Sequence, residues 1–134
     1  MGRRISTQIF DLGGEVQLES MIMWKLFIDD ERYPIDETMV IARSVKEAIE
    51  LINLNGCPIE INFDHDLGDN VPTGFHLAQW LVEKDLDENG SFLPNNFTYY
   101  IHSQNPIGRE NIDKLLSQYL NFKLKSKEEI KYKP

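Results

Sequence analysis

"SVKEAIELINLNGCPIEINFD", Ser44 to Asp64, carries the signal that decides the fold. Ser44 and Glu47 form an S-x-x-E capping box, in which a hydroxyl and a carboxylate satisfy amides that a helix start leaves unpaired. Val45, Ala48, Ile49 and Ile52 then lie near one face of a helix, and Asn55-Gly56 closes it. Pro58 breaks the chain, and "IEINFD" follows as a short strand that runs into an acid.

The same alternation extends in both directions. Upstream, "MWKLFIDDE" is an apolar run ending in acids, and "MVIARS" is a short β-branched strand. Downstream, "TGFHLAQWLVEKDLDENG" reads as a helix with Thr73 as its cap, a stripe of Phe75, Leu77, Ala78, Leu81 and Val82, and Gly90 as its stop. "FTYYIHS" is a fourth strand. "NPIGRENIDKLLSQYL" is a helix starting near Ile107 or Gly108, with Ile112, Leu115, Leu116 and Tyr119 at helical spacing. The Lys-rich tail holds either a short strand at "FKLK" or a fraying helix end.

Strands alternating with helices predict an α/β fold: an open, mostly parallel, truncated sheet with helices on both faces. About ten residues, "ERYPIDETMV", separate the first two strands, and Pro34 interrupts them. A crossover helix barely fits there, so the first crossover is expected to be reduced. Residues 23–134 form this domain, and residues 1–22 are set apart. "TQIFDLGGEVQLE" in that segment reads as an appendage or leader, or as a small hairpin about Gly13-Gly14 that covers a sheet edge or mediates self-association, leaving a homo-oligomer open.

Bulk composition narrows the function. The 134 residues suit one domain, and one cysteine, Cys57, excludes an internal disulfide framework and fits a cytoplasmic protein. No apolar run is long enough to span a membrane. A net charge of -8 disfavours binding along a nucleic-acid duplex, which needs a basic face, but leaves room for a few arginines around one phosphate. Neither GxGxxG nor GxxxxGK[ST] occurs.

In open α/β sheets the ligand crevice lies at the carboxyl ends of the strands. Those ends carry Asp29 and Asp30, then Arg43, then Asp64, His65 and Asp66, then His102 and Ser103. Taken alone, "FDHD" is a phosphate-accepting aspartate, a metal or acid/base site, or a polar turn. Asp29, Asp30 and Asp64 together would repel one another unless a cation sat between them, and a divalent cation such as Mg²⁺ suits carboxylates. His65 and His102 can exchange protons near neutral pH. His76, inside a helix, is expected to be a surface or packing residue. In "HSQNPIGRENI", Asn105-Pro106 turns the chain into a helix whose first amides offer an anion site, where Arg109 either clamps a phosphate or is a solvated charge paired with Glu110 or Asp113; Arg32 and Arg43 follow strand ends and either reach the same rim or are surface charges.

"KLFIDD", "INFDHDLG", "TGFHLAQWL" and "YYIHS" resemble the response-regulator receiver domain over roughly residues 23–125. That resemblance puts Asp29 and Asp30 in the place of the metal-binding acids, Asp64 in that of the phosphoacceptor, and Ser103 in that of the hydroxyl residue beside the phosphoryl group. Lys123 or Lys125 would supply the lysine that ends a fifth strand. "DDERYP", "FDHDLG", "TGFHLAQWLVE" and "HSQNPIGRENI" together resemble more closely the cyclic-phosphate processing receiver-like family of bacteria and phages. This implies a phosphoesterase acting on a cyclic phosphate of a nucleotide or RNA end. His65 and His102 would be its acid/base pair, with Asp66 orienting a histidine. Asp29, Asp30 and Asp64 would hold the cation, and Arg32, Arg43, Ser103, Asn105 and Arg109 would bind substrate. The alternative is an inactive pseudo-receiver that binds a nucleotide or a protein partner.

Overall fold

The structure is a computed structural model that describes residues 23–63, 73–102 and 106–132, with side chains through residue 127. The elements are β1 (Lys25–Ile28), β2 (Val40–Ala42), α1 (Val45–Asn55), β3 (Glu60–Phe63), α2 (Gly74–Asp87), β4 (Thr98–Ile101) and α3 (Pro106–Tyr132). The four strands form one parallel sheet in the order β2-β1-β3-β4, a receiver- or flavodoxin-like arrangement.

Local chemistry sets the element ends. Ser44 accepts a hydrogen bond from the Glu47 amide at 3.1 Å, and the Glu47 carboxylate accepts from the Arg43 amide at 3.1 Å, so the capping box closes one residue early. Gly56, with φ 85°, ends α1 in a conformation that a Cβ would strain. At α2 the Thr73 amide donates to His76 Nδ1 at 2.9 Å. His76, expected to be a surface or packing residue, therefore sits at the surface as part of the helix cap. Pro106 opens α3 at a position where its missing N–H costs nothing.

Leu26, Ile28, Ala42, Ile61 and Phe63 form one face of the sheet and enter a single core with Val45, Ala48, Leu51 and Ile52 of α1, Leu77, Ala78 and Leu81 of α2, and Ile112 and Leu116 of α3. Gly74 lets α2 approach closely, since a Cβ there would lie 3.2 Å from Ile112 Cδ1 and 3.3 Å from Phe63 Cδ1.

All three described helices thus pack on the same face; of the two helical layers expected from strand–helix alternation, the described residues supply one. Crossover handedness explains this. From β1 the chain steps to β2 in one direction, while β2 to β3 and β3 to β4 step in the other. Right-handed crossovers in opposite directions lie on opposite faces, so the first crossover alone should cover the second face. It is the helix-free connection 29–39. The second face therefore carries Phe27 and Asn62, both buried, beside Tyr100, which is 52% exposed.

"FKLK" is helical, inside the 27-residue α3. Lys123 continues the Ile112, Leu116, Tyr119 stripe and meets Asp85 of α2 at 2.9 Å. At about 1.5 Å rise per residue, Lys123 lies far down α3 from the rim where the helix begins, so it cannot serve as a receiver lysine. No helix among the described residues is long and apolar enough to cross a membrane.

Candidate functional site

Asp29 follows β1 directly. Its amide donates to Ala42 O at 3.1 Å, and its side chain is almost wholly buried. Oδ2 accepts from the amides of Glu31, at 3.1 Å, and Arg32. Much of this carboxylate is therefore spent on turning the chain, the usual work of aspartate after a strand. Asp30 next to it is exposed. Arg43, from the end of β2, reaches back over the same turn. Its Nη1 donates to Asp29 O at 3.2 Å and to Arg32 O, and its guanidinium lies 4.6 Å from the centre of the Tyr33 ring. Asp29 and Arg43 thus clamp the start of the 29–39 connection against the sheet.

His102 continues β4 by one residue, its amide donating to Phe63 O at 2.8 Å. Strand alternation turns its side chain to the face opposite the described helices, the face of Asn62 and Tyr100. There His102 Nε2 lies 3.0 Å from Asn62 Oδ1, and Asn62 Nδ2 donates to Glu60 Oε2 at 2.9 Å.

His102 lines two concavities at once. One, of about 400 Å³, lies between the sheet face and the 29–39 connection and is bounded by Phe27, Arg32, Tyr33, Met39, Glu60 and Asn62. The other, of about 630 Å³, runs along the outer side of β4 and the first turns of α3, past Tyr99, Arg109 and Asp113. His102 thus shares one groove with Arg32 and the other with Arg109. Tyr99 donates to Asp113 Oδ1 at 2.7 Å; burial, and then this bond to a carboxylate, push its phenol up to about 12.

The structure brings together Asp29, Arg32 and Arg43 in one clamp, and Arg32, His102 and Arg109 around the two grooves. Asp64, His65, Asp66, Ser103 and Asn105 lie outside the described residues. Among the described residues no three His, Cys, Asp or Glu side chains form a metal-binding group. Glu60, Asn62 and Tyr33 were not singled out from sequence. Glu60 and Asn62 did leave a sign: polar residues at period two in "IEINF", where a strand buried on both faces would be apolar throughout.

A family model described as the cyclic-phosphate processing receiver domain matches residues 24–118, most of the chain. The chain belongs to this family. The match spans all four strands, α1, α2 and the part of α3 that enters the core, so both grooves around His102 fall inside it. No curated protein and no solved structure matches the chain.

Proposed function

We propose that the chain is a phosphoesterase that binds and hydrolyses a cyclic phosphate linkage of a nucleotide or RNA end. The observation that supports this is His102, which lines one groove with Arg32 and a second with Arg109 in a chain of the cyclic-phosphate processing receiver family. An arginine sharing a groove with an imidazole suits an anionic phosphodiester, because it offsets the charge while the ring moves a proton. In the reaction, water forms one P–O bond and one ring P–O bond breaks. The water proton goes to a base, the leaving alkoxide takes one from an acid, and a phosphomonoester results. His102 fills one of these roles and His65 the other, with Asp66 orienting a histidine; Ser103 and Asn105 join the arginines in binding the phosphate.

Asp29 and Asp30, with Asp64, are the carboxylates that would hold a divalent cation. Mg²⁺ is content with one or two carboxylates and several waters, and the second oxygen of Asp29 with exposed Asp30 fits that modest demand. When bound, such an ion would polarise a phosphoryl oxygen.

The test is turnover of 2′,3′- and 3′,5′-cyclic nucleotides and of cyclic-phosphate-ended RNA, with and without Mg²⁺, followed by chromatography of the products. His102→Ala should lower the rate by roughly 10²- to 10⁴-fold with the fold intact. An unchanged rate would remove His102 from the chemistry. Calorimetric binding without product would favour a pseudo-receiver, a reading that the structural employment of Asp29 and Arg43 in the clamp also supports.

A further inference from the structure

We infer that Glu60 and Asn62 are positioning residues that hold His102 in its Nε2–H tautomer, leaving Nδ1 as the ring's proton acceptor. The bonding itself needs no assumption about activity; only its catalytic consequence rests on the function proposed above.

An ionised carboxylate accepts hydrogen bonds and donates none. Glu60 Oε2, 2.9 Å from the Asn62 amide, therefore faces the NH₂ end of that side chain. The opposite orientation would set two acceptors against each other on a half-buried strand. Once NH₂ faces Glu60, the carbonyl Oδ1 must face His102 Nε2, 3.0 Å away. An amide oxygen only accepts, so Nε2 must carry the proton. Asn62 is 8% exposed, so leaving its amide unpaired would be costly.

Strand geometry makes the line possible. Glu60 and Asn62 are two apart on β3 and so share a face, and Asn62 is level with Tyr100 on β4. His102, two residues beyond Tyr100, hangs over the same face and reaches back to Asn62. The face is the one that carries no helix among the described residues, where the first crossover is the helix-free connection 29–39, and a charged and polar row sits there. A carboxylate, an amide and an imidazole in sequence act on the ring as a carboxylate alone does in hydrolytic triads, fixing its tautomer and its plane. Here the inserted amide transmits orientation without placing a negative charge against the imidazole.

The test uses ¹⁵N-labelled full-length protein and long-range ¹H–¹⁵N spectra at a pH where the ring is neutral. His102 signals are assigned by their loss in His102→Gln. The expected result is a protonated-type shift at Nε2 and an unprotonated one at Nδ1. Glu60→Gln lets the Asn62 amide sit either way and should give a tautomer mixture; Glu60→Lys puts a donor where the acceptor was and should favour Nδ1–H. A wild-type ring protonated at Nδ1, or a tautomer unmoved in both variants, would overturn the inference. Circular dichroism checks folding; should one variant fail to fold, the other still reads the dependence on Glu60, and a wild-type ring protonated at Nδ1 overturns the inference without either. Glu60→Lys should also lower kcat by roughly 10²-fold or more, since the wrong tautomer disables an acid/base imidazole, with KM little changed. If the tautomer behaves as expected but no cyclic phosphate is turned over, the proposed function fails and the positioning stands. If turnover depends on His102 but the tautomer does not depend on Glu60, the reverse holds.

Discussion

Replacing Asp85 with alanine should be among the most damaging single changes in this chain. Asp85 is fully buried near the end of α2, and four groups converge on it. Oδ1 accepts from the amides of Phe92 and Leu93 at 2.9 and 2.8 Å; Oδ2 accepts from the Tyr119 hydroxyl and meets Lys123 Nζ at 2.9 Å. One carboxylate therefore ties α2 both to the segment leading into β4 and to α3. Its removal leaves two amides, a phenol and the ammonium of Lys123, whose side chain is only 12% exposed, without their acceptor. Breaking a buried pair from one side costs about 3–5 kcal/mol. Against a typical total of about 5–15 kcal/mol, that is a large share. In urea, where the slope is about 1–3 kcal/mol per molar, the midpoint should fall by roughly 1–5 M, about 2 M at a mid-range slope. Asp85→Asn keeps an acceptor for the two amides and should lose less, about 1.5–3 kcal/mol. Burial pushes the Asp85 carboxyl up, but the bonds from Tyr119, Leu93 and Lys123 outweigh it and hold it below 3.8. A depressed carboxyl contributes stability above its unfolded pKa and loses it as pH falls through the folded one. The gap between wild type and Asp85→Asn should therefore be constant near neutrality and narrow below about pH 3.8. Tyr119 moves the other way: burial, then the bond to Asp85, raise its phenol above 10.0, so its contribution fades only as pH climbs beyond that. An alanine variant within about 0.5 kcal/mol of wild type would refute this reasoning, because that is the range of surface substitutions.

Three further outcomes follow from the packing. Cys57 is buried, and burial, reinforced by the charge of Asp85, pushes its thiol up to about 12; it should resist a disulfide reagent in the folded protein and react on unfolding, and fast native labelling would contradict this placement. Gly74→Val should cost about 1–3 kcal/mol in a denaturation curve, because its Cβ would start 3.2 Å from Ile112 and 3.3 Å from Phe63 before the branch is added; no loss would mean that α2 does not dock so closely. Arg43→Ala releases two carbonyls and the Tyr33 ring, so trypsin should cut after Arg32 faster than in wild type, with global stability changed by only about 1 kcal/mol; unchanged digestion would show that the clamp does not hold the turn.

The alternation of elements, the parallel sheet and the reduced first crossover were legible from "SVKEAIELINLNGCPIEINFD" and its neighbours, because capping chemistry and apolar periodicity are local. So were the stripes on α1, α2 and α3, and the presence of Arg32, Arg43, His102 and Arg109 near strand ends. Their partners were not. Asp29 reads identically in sequence whether it binds a cation or caps a turn, and only the amides of Glu31 and Arg32 against its Oδ2 show where that oxygen goes. Lys123 reads as a surface lysine or as the end of a strand until α3 carries it to Asp85.

What the sequence determined by itself is which segments are helix or strand and which strand ends carry ionisable groups, since both depend on neighbours a few residues apart. What only the tertiary structure decided is the direction in which each strand steps, and therefore which face a missing crossover helix leaves open. That choice sets Glu60, Asn62 and His102 in one row, across a separation of 40 residues between the amide and the imidazole that no local pattern spans.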